Sequence, residues 1–386
     1  MAPSRSNMVR DMKRLLQTID AKTTSLASGV MELPAAAYTD PEYWRHEVRE
    51  LFHRRPIVLA LSCELPGPNS YVTLDNVPGF RVFASRDKAG KAHAFLNACR
   101  HRGTPVVSGK GTAARFACPY HGWSYGSTGE LLTVTAEALF GQGPCKERGL
   151  VELPTEERHG LLFGLLDPAG KLDLDGWLGE FGPELESIGL GGFHPMWTRN
   201  FPGPNWKVCK DGFIENYHFA SVHGQSLPAL MGNVNVTDIW GTHSRMLMPD
   251  IAIQSQRLLP EEQWDPPAAF ATVYYLFPNT MIASCWGDWP LVTRLFPGLA
   301  PGEATCVQTL LSRRPATPEI RAEADSFQEA YARITEGEDF VLDFSIQRSL
   351  ENSQGQSFVF GRNEHALQHF HQSVARYAGR PGEQSR

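Results

Sequence analysis

The sequence predicts an α+β protein in two parts: a small all-β domain, and a larger domain with an antiparallel sheet and a long C-terminal helix. Three observations support this prediction. The chain has 386 residues, more than one ordinary hydrophobic core accommodates. Short β-rich runs separated by glycine, proline and aspartate turns dominate residues 57–166. Longer strand-like runs follow, and the chain closes with an extended helical pattern.

The N-terminal segment, residues 1–55, is predicted to be helical and to pack on the larger domain. Apolar residues recur at helical spacing from Met8 onward, with Ser6 or Asn7 as the expected N-cap. A second helix is predicted over residues 41–52, because its aromatic and aliphatic side chains fall on one face.

The all-β domain is placed at residues 56–166. Its clearest feature is a hairpin, in which strands over residues 81–85 and 92–97 flank a turn that contains Gly90. Glycine adopts a positive φ at no steric cost, which suits such a turn. The tight spacing of the other short runs indicates one small β unit.

The larger domain is placed at residues 167–386, after a stretch rich in glycine, leucine and aspartate. Its strands and helices do not alternate regularly, which favours an antiparallel sheet covered by a C-terminal helix. The predicted elements are a strand over residues 196–201, a helix from residue 206, strands over 271–285 and 304–314, a long helix over 318–351 and a short helix over 364–377.

The composition argues against several classes of protein. There are 36 basic and 42 acidic side chains and no basic stripe of the kind that a phosphate backbone requires. No apolar run approaches the roughly 20 residues of a membrane-spanning helix, and the N-terminus lacks the apolar core of a secretory signal. A cytoplasmic protein is therefore expected. Outside the motif described next, the cysteines are expected to be buried free thiols: Cys63, Cys145, Cys209, Cys285 and Cys306.

Two cysteines and two histidines form the first candidate site. Cys99-x-His101 is followed, after sixteen residues, by Cys118-x-x-His121. Zinc accepts two thiolates and two imidazoles, but its usual spacing keeps the cysteines in one arm and the histidines in the other. One cysteine and one histidine in each arm also suit a [2Fe–2S] cluster, in which one iron takes both thiolates and the other both imidazoles.

The residues around these ligands favour the cluster. Cys99-Arg-His101 and Cys118-Pro-Tyr-His121-Gly-Trp123 resemble the Rieske motif, and the Cys-Arg-His-Arg-Gly start resembles the terminal-oxygenase branch of Rieske proteins. The resemblance implies that Trp123, with Tyr120 as a further candidate, packs around the cluster sulfurs or hydrogen-bonds to them. It implies a Rieske [2Fe-2S] cluster whose ligands are Cys99, His101, Cys118 and His121.

Two histidines and a carboxylate form the second candidate site. His218 and His223 are five residues apart, and Glu215 is three residues before His218. Five residues of a regular helix turn about 500°, so both imidazoles reach one metal only where the helix ends or distorts between them. Two histidines and one carboxylate leave open positions, as in non-haem Fe(II) oxygenases. The expected carboxylate is Asp339 on the long helix, with Asp343 as the alternative.

This second pattern also resembles the terminal oxygenases. Their catalytic domain carries Glu/Asp-x-x-His-x₄-His and, about a hundred residues later, an acidic pair followed by glutamine. The resemblance covers about residues 40–375 and implies a helix-grip (START-like) catalytic domain with mononuclear Fe(II) bound by His218, His223 and Asp339. The positions that match the pattern are Glu215, His218, His223, Glu338, Asp339 and Gln347.

A chain with both centres resembles a terminal oxygenase that receives electrons from another protein. No Gly-x-Gly-x-x-Gly nucleotide motif follows a strand here, so we expect electrons from NAD(P)H through a partner flavin reductase, with or without a ferredoxin. The resemblance further implies a homotrimer, with or without a small β subunit. In it, Glu215 would link His218 to the partner subunit's His121. Many ring-dihydroxylating relatives have aspartate at this position, so oxygenation is better founded than ring dihydroxylation.

The substrate is expected to be apolar and aromatic, as in aromatic hydrocarbon catabolism, because aromatic and aliphatic residues dominate the region over residues 271–285. The alternative is a monooxygenase that performs N- or O-demethylation or C–N cleavage on a carnitine- or betaine-like substrate. Trp286 and Trp289 would then contribute to an aromatic cage for a quaternary ammonium, and Arg294 would pair a substrate carboxylate. A non-catalytic Rieske electron carrier and a structural zinc protein are two further alternatives from other classes.

Overall fold

The computed structural model describes residues 5–74, 79–141, 147–283, 287–353 and 355–379. The chain divides into two compact units, one of Met1–Leu51 with Leu178–Arg386 and one of Phe52–Trp177. The domain boundaries placed above at residues 55/56 and 166/167 stay predictions. Cys145, Cys285 and Trp286, singled out above, lie outside the described residues.

The N-terminal elements begin with the predicted amphipathic helix. This helix buries Met12 and Leu15 against Leu247 of the large sheet. The predicted N-cap is wrong, because Ser6 and Asn7 lie inside the helix, which already includes Arg5. The elements are α1 (Arg5–Asp20), β1 (Met31–Pro34), α2 (Ala36–Thr39), α3 (Pro41–Glu47) and a π-helical turn (Val48–His53).

The unit Phe52–Trp177 is built from short antiparallel strands. The predicted hairpin is confirmed as the β4–β5 pair, and Gly90 in its turn has a φ of 92°. Three sheets are formed, ordered β10-β5-β4-β3-β6, β11-β12-β2 and β7-β8-β9. The strands are β2 (Ile57–Leu61), β3 (Ser70–Thr73), β4 (Val82–Arg86), β5 (Ala92–Leu96), β6 (Lys110–Thr112), β7 (Arg115–Ala117), β8 (Ser124–Gly126), β9 (Leu131–Thr133), β10 (Glu152–Leu153), β11 (Thr155–Arg158) and β12 (Leu161–Gly164).

The other unit contains a seven-stranded antiparallel sheet in the order β13-β19-β18-β17-β16-β15-β14. One predicted strand, over residues 271–285, is wrong: the chain leaves the sheet after Leu276 and returns at Thr280. Pro278, in the turn between them, has no backbone N–H to donate to a neighbouring strand. The strands are β13 (His194–Gly203), β14 (Val236–Trp240), β15 (His243–Pro249), β16 (Phe270–Leu276), β17 (Thr280–Ala283), β18 (Leu291–Pro297) and β19 (Ala304–Ser312).

Helices pack on this sheet and carry the candidate site. The predicted long C-terminal helix is confirmed, except that a π-helical turn (Thr335–Asp339) divides it into α10 and α11. Helix α6 contacts both α11 and the sheet. The helices are α4 (Leu174–Leu178), α5 (Phe181–Ile188), α6 (Trp206–Asp211), α7 (Phe219–Val222), α8 (Ile253–Gln256), α9 (Pro266–Ala269), α10 (Pro318–Ile334), α11 (Phe340–Leu350) and α12 (His365–Ala378), with a short strand β20 (Ser357–Phe360) that pairs with β1.

These elements confirm the α+β prediction, with an all-β unit and an antiparallel sheet that carries helices. The core of the all-β unit includes Phe83, Phe95 and Tyr125, none of which has exposed surface. Among the residues that the structure describes, no helix has both the length and the apolar composition needed to cross a bilayer.

Candidate active site

The four predicted cluster residues lie on two loops that are built alike. One loop follows β5 and the other follows β7. In each loop the backbone N–H of a glycine hydrogen-bonds to the carbonyl of the cysteine: Gly103 N donates to Cys99 O at 2.8 Å, and Gly122 N donates to Cys118 O at 3.0 Å. Both glycines have a positive φ, 82° and 74°, which a side chain would disfavour. The matched loops therefore present their ligands in the same way.

The donor atoms of these loops fit an iron–sulfur cluster. The thiols of Cys99 and Cys118 are buried, whereas the imidazoles of His101 and His121 are half-buried and their Nδ1 atoms lie 3.1 Å apart. Desolvation, followed by the positive charges of His121 and Arg102, lowers the pKa of His101 and favours the neutral imidazole that binds metal. Two cysteine thiolates and two histidine imidazoles are the donor set of a Rieske-type [2Fe–2S] centre.

Aromatic side chains surround the two loops. Trp123 stacks on His101, with ring centroids 5.0 Å apart and planes at 12°. Tyr120 lies against His121 but is 54% exposed. Tyr125, which lies outside the predicted motif, has its hydroxyl 3.2 Å from Cys99 Sγ, and this hydroxyl accepts from the backbone N–H of Arg100 at 2.9 Å. This contact depends on the return of β8 to the first loop, so no local spacing indicates it.

We expect Tyr125→Phe to lower the reduction potential of the cluster, because the hydroxyl is placed to donate to a cysteine ligand whose charge density rises on reduction. A hydrogen bond about 1 kcal/mol stronger in the reduced state corresponds to about 40 mV for one electron. Redox titration followed by EPR measures the shift. Tyr120→Phe is the matched control, and an unchanged potential in Tyr125→Phe would contradict the assignment.

The second predicted pair, His218 and His223, brackets a helix of a single turn. His218 is the N-cap of α7 and His223 its C-cap, and the ring centroids lie 5.0 Å apart. The helix thus contains only the residues between the two histidines. This confirms the expectation that a regular helix does not run through both, and it explains how two residues at unfavourable helical spacing approach each other.

Asp339 completes the group from the π-helical turn between α10 and α11. Its Oδ1 lies 2.8 Å from His223 Nε2 and 3.7 Å from His218 Nε2. Each of the three residues offers a ligand atom within 4.8 Å of the others, and the group is the one of this kind found in the described part of the chain. Two imidazole nitrogens and one carboxylate oxygen fit an Fe(II) ion with open positions.

Protons compete with a metal for this group. Burial lowers the pKa of His223, but hydrogen bonds to Asp339 and Glu338 outweigh burial and leave that pKa raised. An imidazole must be neutral to bind a metal. Metal binding is therefore expected to weaken as the pH falls through the raised pKa.

Asp343, the alternative ligand, is not part of the group. It is buried on α11, and burial followed by the charges of Asp339 and Asp211 raises its pKa to about 8. A carboxyl group with this pKa is largely protonated at neutral pH and is then a poor metal ligand. The geometry and the charge both favour Asp339.

Buried amides hold the ligand-bearing segments, a role that the sequence pattern does not reveal. Asn216, 2% exposed, donates to Val234 O at 2.9 Å and accepts from Asn235 Nδ2 at 3.0 Å. Gln347, the glutamine of the family pattern, accepts from the backbone N–H of Asn205 at the start of α6. These bonds tie the loop before α7 and the helix α11 to the rest of the unit.

Glu215 contacts the other face of His218. Its carboxylate accepts from His218 Nδ1 and from His218 N, the latter at 3.3 Å. The same carboxylate lines a cavity of about 210 Å³ together with Asp211, Asp343 and Glu364. Glu215 therefore orients one predicted iron ligand and lies at a largely apolar cavity that also contains His218 and Asp339.

Of the predicted pocket residues, Trp289 lines a cavity and others belong to the core. The cavity, about 250 Å³, also contains Leu230, Phe270 and Phe327. Trp289 stacks on Phe327 at 6.1 Å, and Phe327 stacks on Tyr331 at 6.0 Å. Burial, followed by the charge of Asp339, raises the pKa of Tyr331. Three other residues of the predicted pocket region are buried and do not line this cavity. They are Tyr274, whose hydroxyl donates to Glu184, Tyr275, whose hydroxyl donates to Pro278 O, and Arg294 on β18.

Two family models match the chain. The Rieske [2Fe-2S] domain matches residues 55–142, and the ring hydroxylating alpha subunit (catalytic domain) matches residues 197–380. The first range contains both cluster loops, and the second contains His218, His223 and Asp339. The chain belongs to the Rieske non-haem iron oxygenases. A structural zinc protein and a stand-alone electron carrier do not account for both domains.

Relatives of this Rieske oxygenase include enzymes with different substrates. Chloroplastic choline monooxygenase from Amaranthus tricolor is 28% identical over 94% of this chain and 80% of its own length. The large oxygenase component of the naphthalene 1,2-dioxygenase system from Pseudomonas fluorescens is 31% identical over 64% of each chain. A crystal structure of a quaternary ammonium Rieske monooxygenase with L-carnitine has a TM-score of 0.77 at 22% identity and covers 92% of this chain and 96% of its own, which shows the fold.

The family confirms the predicted class of enzyme and its cofactors. This Rieske oxygenase is an oxidoreductase that combines a Rieske [2Fe–2S] domain with a catalytic domain of the mononuclear iron type. It is a terminal oxygenase, and its electrons come from a partner protein.

Proposed function

We propose that this Rieske oxygenase hydroxylates an apolar, aromatic substrate. For a monooxygenation, one C–H bond, O₂, two electrons and two protons give the hydroxylated product and water. For a dihydroxylation, both oxygen atoms enter the product with the same electrons and protons. The observation that carries the proposal is the largely apolar lining of the cavity that contains His218 and Asp339, to which Leu342 and Ile346 contribute. A second apolar cavity, lined by Trp289 and Phe327, supports it.

The chain's own residues are assigned as follows. His218, His223 and Asp339 would hold the mononuclear iron, which when bound supplies the activation of O₂. Glu215 orients His218 through Nδ1, and the apolar lining of the cavity orients the substrate and excludes water. The [2Fe–2S] cluster would be held by Cys99, His101, Cys118 and His121, with Trp123 stacked on one imidazole.

An apolar substrate is favoured because the two carboxylates in the second cavity are already engaged. Asp288 lies 3.6 Å from Arg314, and Asp250 accepts from the backbone N–H of Ala252 at 2.8 Å. The remaining lining is largely aliphatic and aromatic. The binding free energy on such a surface is most favourable for a hydrocarbon, because binding removes apolar area of both partners from water.

The second candidate function is N- or O-demethylation, or C–N cleavage, of a carnitine- or betaine-like substrate. It is favoured by the match to choline monooxygenase over 94% of this chain. The face of Trp289 would then bind the quaternary ammonium by a cation–π interaction. Both candidates use the same iron site and differ only in how the cavity recognises the substrate.

A substrate screen distinguishes the two functions. The purified oxygenase is supplied with a flavin reductase and NAD(P)H, with and without a ferredoxin, and O₂ uptake is compared with product formation. We expect uptake coupled to product with an aromatic hydrocarbon such as naphthalene, and none with choline or carnitine. Coupled demethylation of the amines without turnover of the aromatic compounds would establish the second function instead.

Trp289→Leu sharpens this comparison, because leucine keeps an apolar surface and removes the aromatic face. For an apolar substrate we expect KM to change by less than about threefold, since burial is retained. For a quaternary ammonium, loss of about 1 to 2 kcal/mol of cation–π energy would raise KM by about 5- to 30-fold.

We further propose the partners and assembly. Electrons come from NAD(P)H through a flavin reductase, with or without a ferredoxin, and the chain works as a cytoplasmic homotrimer, with or without a small β subunit. Glu215 would link His218 to the partner subunit's His121. In support, the Glu215 carboxylate contacts His218 Nδ1 and also lines the cavity beside that histidine. A role in aromatic hydrocarbon catabolism follows if the aromatic substrates are turned over.

A further inference from the structure

Each histidine of the proposed iron site has its own carboxylate on the ring nitrogen that faces away from the group. His218 Nδ1 contacts Glu215, and His223 Nδ1 lies 2.7 Å from Glu338 Oε2. In both rings Nε2 is the atom nearer to Asp339. The two carboxylates come from different places: Glu215 precedes α7, whereas Glu338 lies on the π-helical turn before α11.

Glu338 and its neighbour Asp339 engage the two nitrogens of one imidazole. Glu338 Oε2 lies 2.7 Å from His223 Nδ1, and Asp339 Oδ1 lies 2.8 Å from His223 Nε2. Successive residues of a regular α-helix point about 100° apart. The π-helical geometry over Thr335–Asp339 accompanies this arrangement, and such π segments occur often at functional sites.

Glu338 is itself held by a second hydrogen bond to the same carboxylate oxygen. Ser226 Oγ donates to Glu338 Oε2 at 2.6 Å, from the segment that follows His223. His223 is 2% exposed, so its Nδ1 has no access to bulk water as an alternative partner. His223 and Ser226 thus both hydrogen-bond to one oxygen of the Glu338 carboxylate. These bonds join two ligand-bearing segments that are more than a hundred residues apart in sequence.

We propose that Glu338 is a positioning residue for the mononuclear iron, and that Ser226 supports it. By accepting the Nδ1–H of His223, Glu338 selects the tautomer that leaves the Nε2 lone pair free for the metal. The inference rests on the proposed function, in which His223 is an iron ligand. Both carboxylates orient a histidine, and Glu215 has in addition the proposed role in electron delivery.

Metal affinity tests this assignment directly. Chelator competition on the purified protein measures Fe(II) affinity at the mononuclear site for wild type, Glu338→Gln, Glu338→Ala and Ser226→Ala. We expect Glu338→Ala to weaken Fe(II) binding by about 10- to 100-fold. Glu338→Gln should fall between Ala and wild type because the amide oxygen still accepts one hydrogen bond. The Rieske absorption spectrum should be unchanged in every variant.

Glu336→Gln is the matched control. Glu336 lies on the same turn, two residues earlier, but pairs with Arg199 rather than with a histidine. A spectroscopic readout separates positioning from general stability: the EPR spectrum of Co²⁺ bound in the mononuclear site should change in Glu338→Gln and stay as in wild type in Glu336→Gln. If Glu338→Ala does not fold, Glu338→Gln and Ser226→Ala carry the test.

The outcomes separate this inference from the proposed function. Fe(II) affinity in the Glu338 variants within twofold of that in Glu336→Gln, with an unaltered Co²⁺ spectrum, would overturn the role of Glu338 alone. If His223→Ala retains wild-type Fe(II) affinity, the proposed iron site itself fails, whatever the Glu338 variants show. The inference stands if His223→Ala loses the metal and the Glu338 variants lose affinity in the order Ala, then Gln.

Discussion

Asp339→Ala is expected to lose the mononuclear iron and turnover while it keeps the Rieske spectrum. Asp339 is the carboxylate that faces Nε2 of both histidines, and no other described carboxylate joins that group. Loss of a residue that only orients a ligand typically lowers metal affinity by about 10- to 100-fold. Loss of a direct ligand should lower Fe(II) affinity by more than this. Metal analysis should fall from about three irons per chain to about two, because the cluster is held separately.

Asp343→Asn is the control for this prediction. The asparagine is neutral, as the buried Asp343 largely is at neutral pH with a pKa of about 8, so we expect iron content and turnover close to wild type. His218→Ala and His223→Ala should behave like Asp339→Ala. An active Asp339→Ala enzyme together with an inactive, iron-free Asp343→Asn enzyme would show that the wrong carboxylate has been assigned.

Glu215→Gln is expected to keep both metal centres but to slow the arrival of electrons at the mononuclear iron. An amide keeps one acceptor oxygen for His218, but its NH2 group replaces the second carboxylate oxygen and cannot accept from another imidazole. We expect product formation in a single turnover to slow by about 10- to 100-fold. Reduction of the Rieske cluster and the iron content should stay as in wild type. Rapid mixing of the reduced enzyme with O₂ and substrate measures the rate.

Glu364→Gln serves as the control in the same cavity. Glu364 also lines this cavity, but its carboxylate accepts from the backbone N–H of Gly361. The proposal also requires assembly, so the mass of the wild type in solution should be that of a trimer or a trimer-based complex. Wild-type single-turnover rates in Glu215→Gln, or full activity from a monomer, would reject the electron path through Glu215.

Several structural features were predictable because their signals are local in the chain. The hairpin around Gly90 follows from two strand-like runs and a turn glycine. The helix end between His218 and His223 follows from their spacing alone, because a regular helix would turn one imidazole away from the other. The break between β16 and β17 was also signalled locally, by Pro278, but the apolar run on both sides concealed it.

Other features could not be read locally because they depend on contacts between distant segments. Tyr125 approaches Cys99 only because β8 brings the tyrosine back to the first loop. Asn216 is an unremarkable amide in the sequence, and its role depends on Val234 and Asn235, which return to it from the following loop. Such partners are set by how strands and loops close on one another.

By itself, the sequence determined the class of this protein, its two kinds of metal site and the residues proposed to hold them. Ligand types at short spacings are a property of the chain, and they limit the metal chemistry before any folding is considered. Only the tertiary structure brought Asp339, and not Asp343, close to both histidines and gave Glu338 a partner. Glu338 and Asp339 lie on the π-helical turn and Asp343 on α11, and which of them contact His223 depends on how these segments pack against the loop around α7, which no spacing in the sequence specifies.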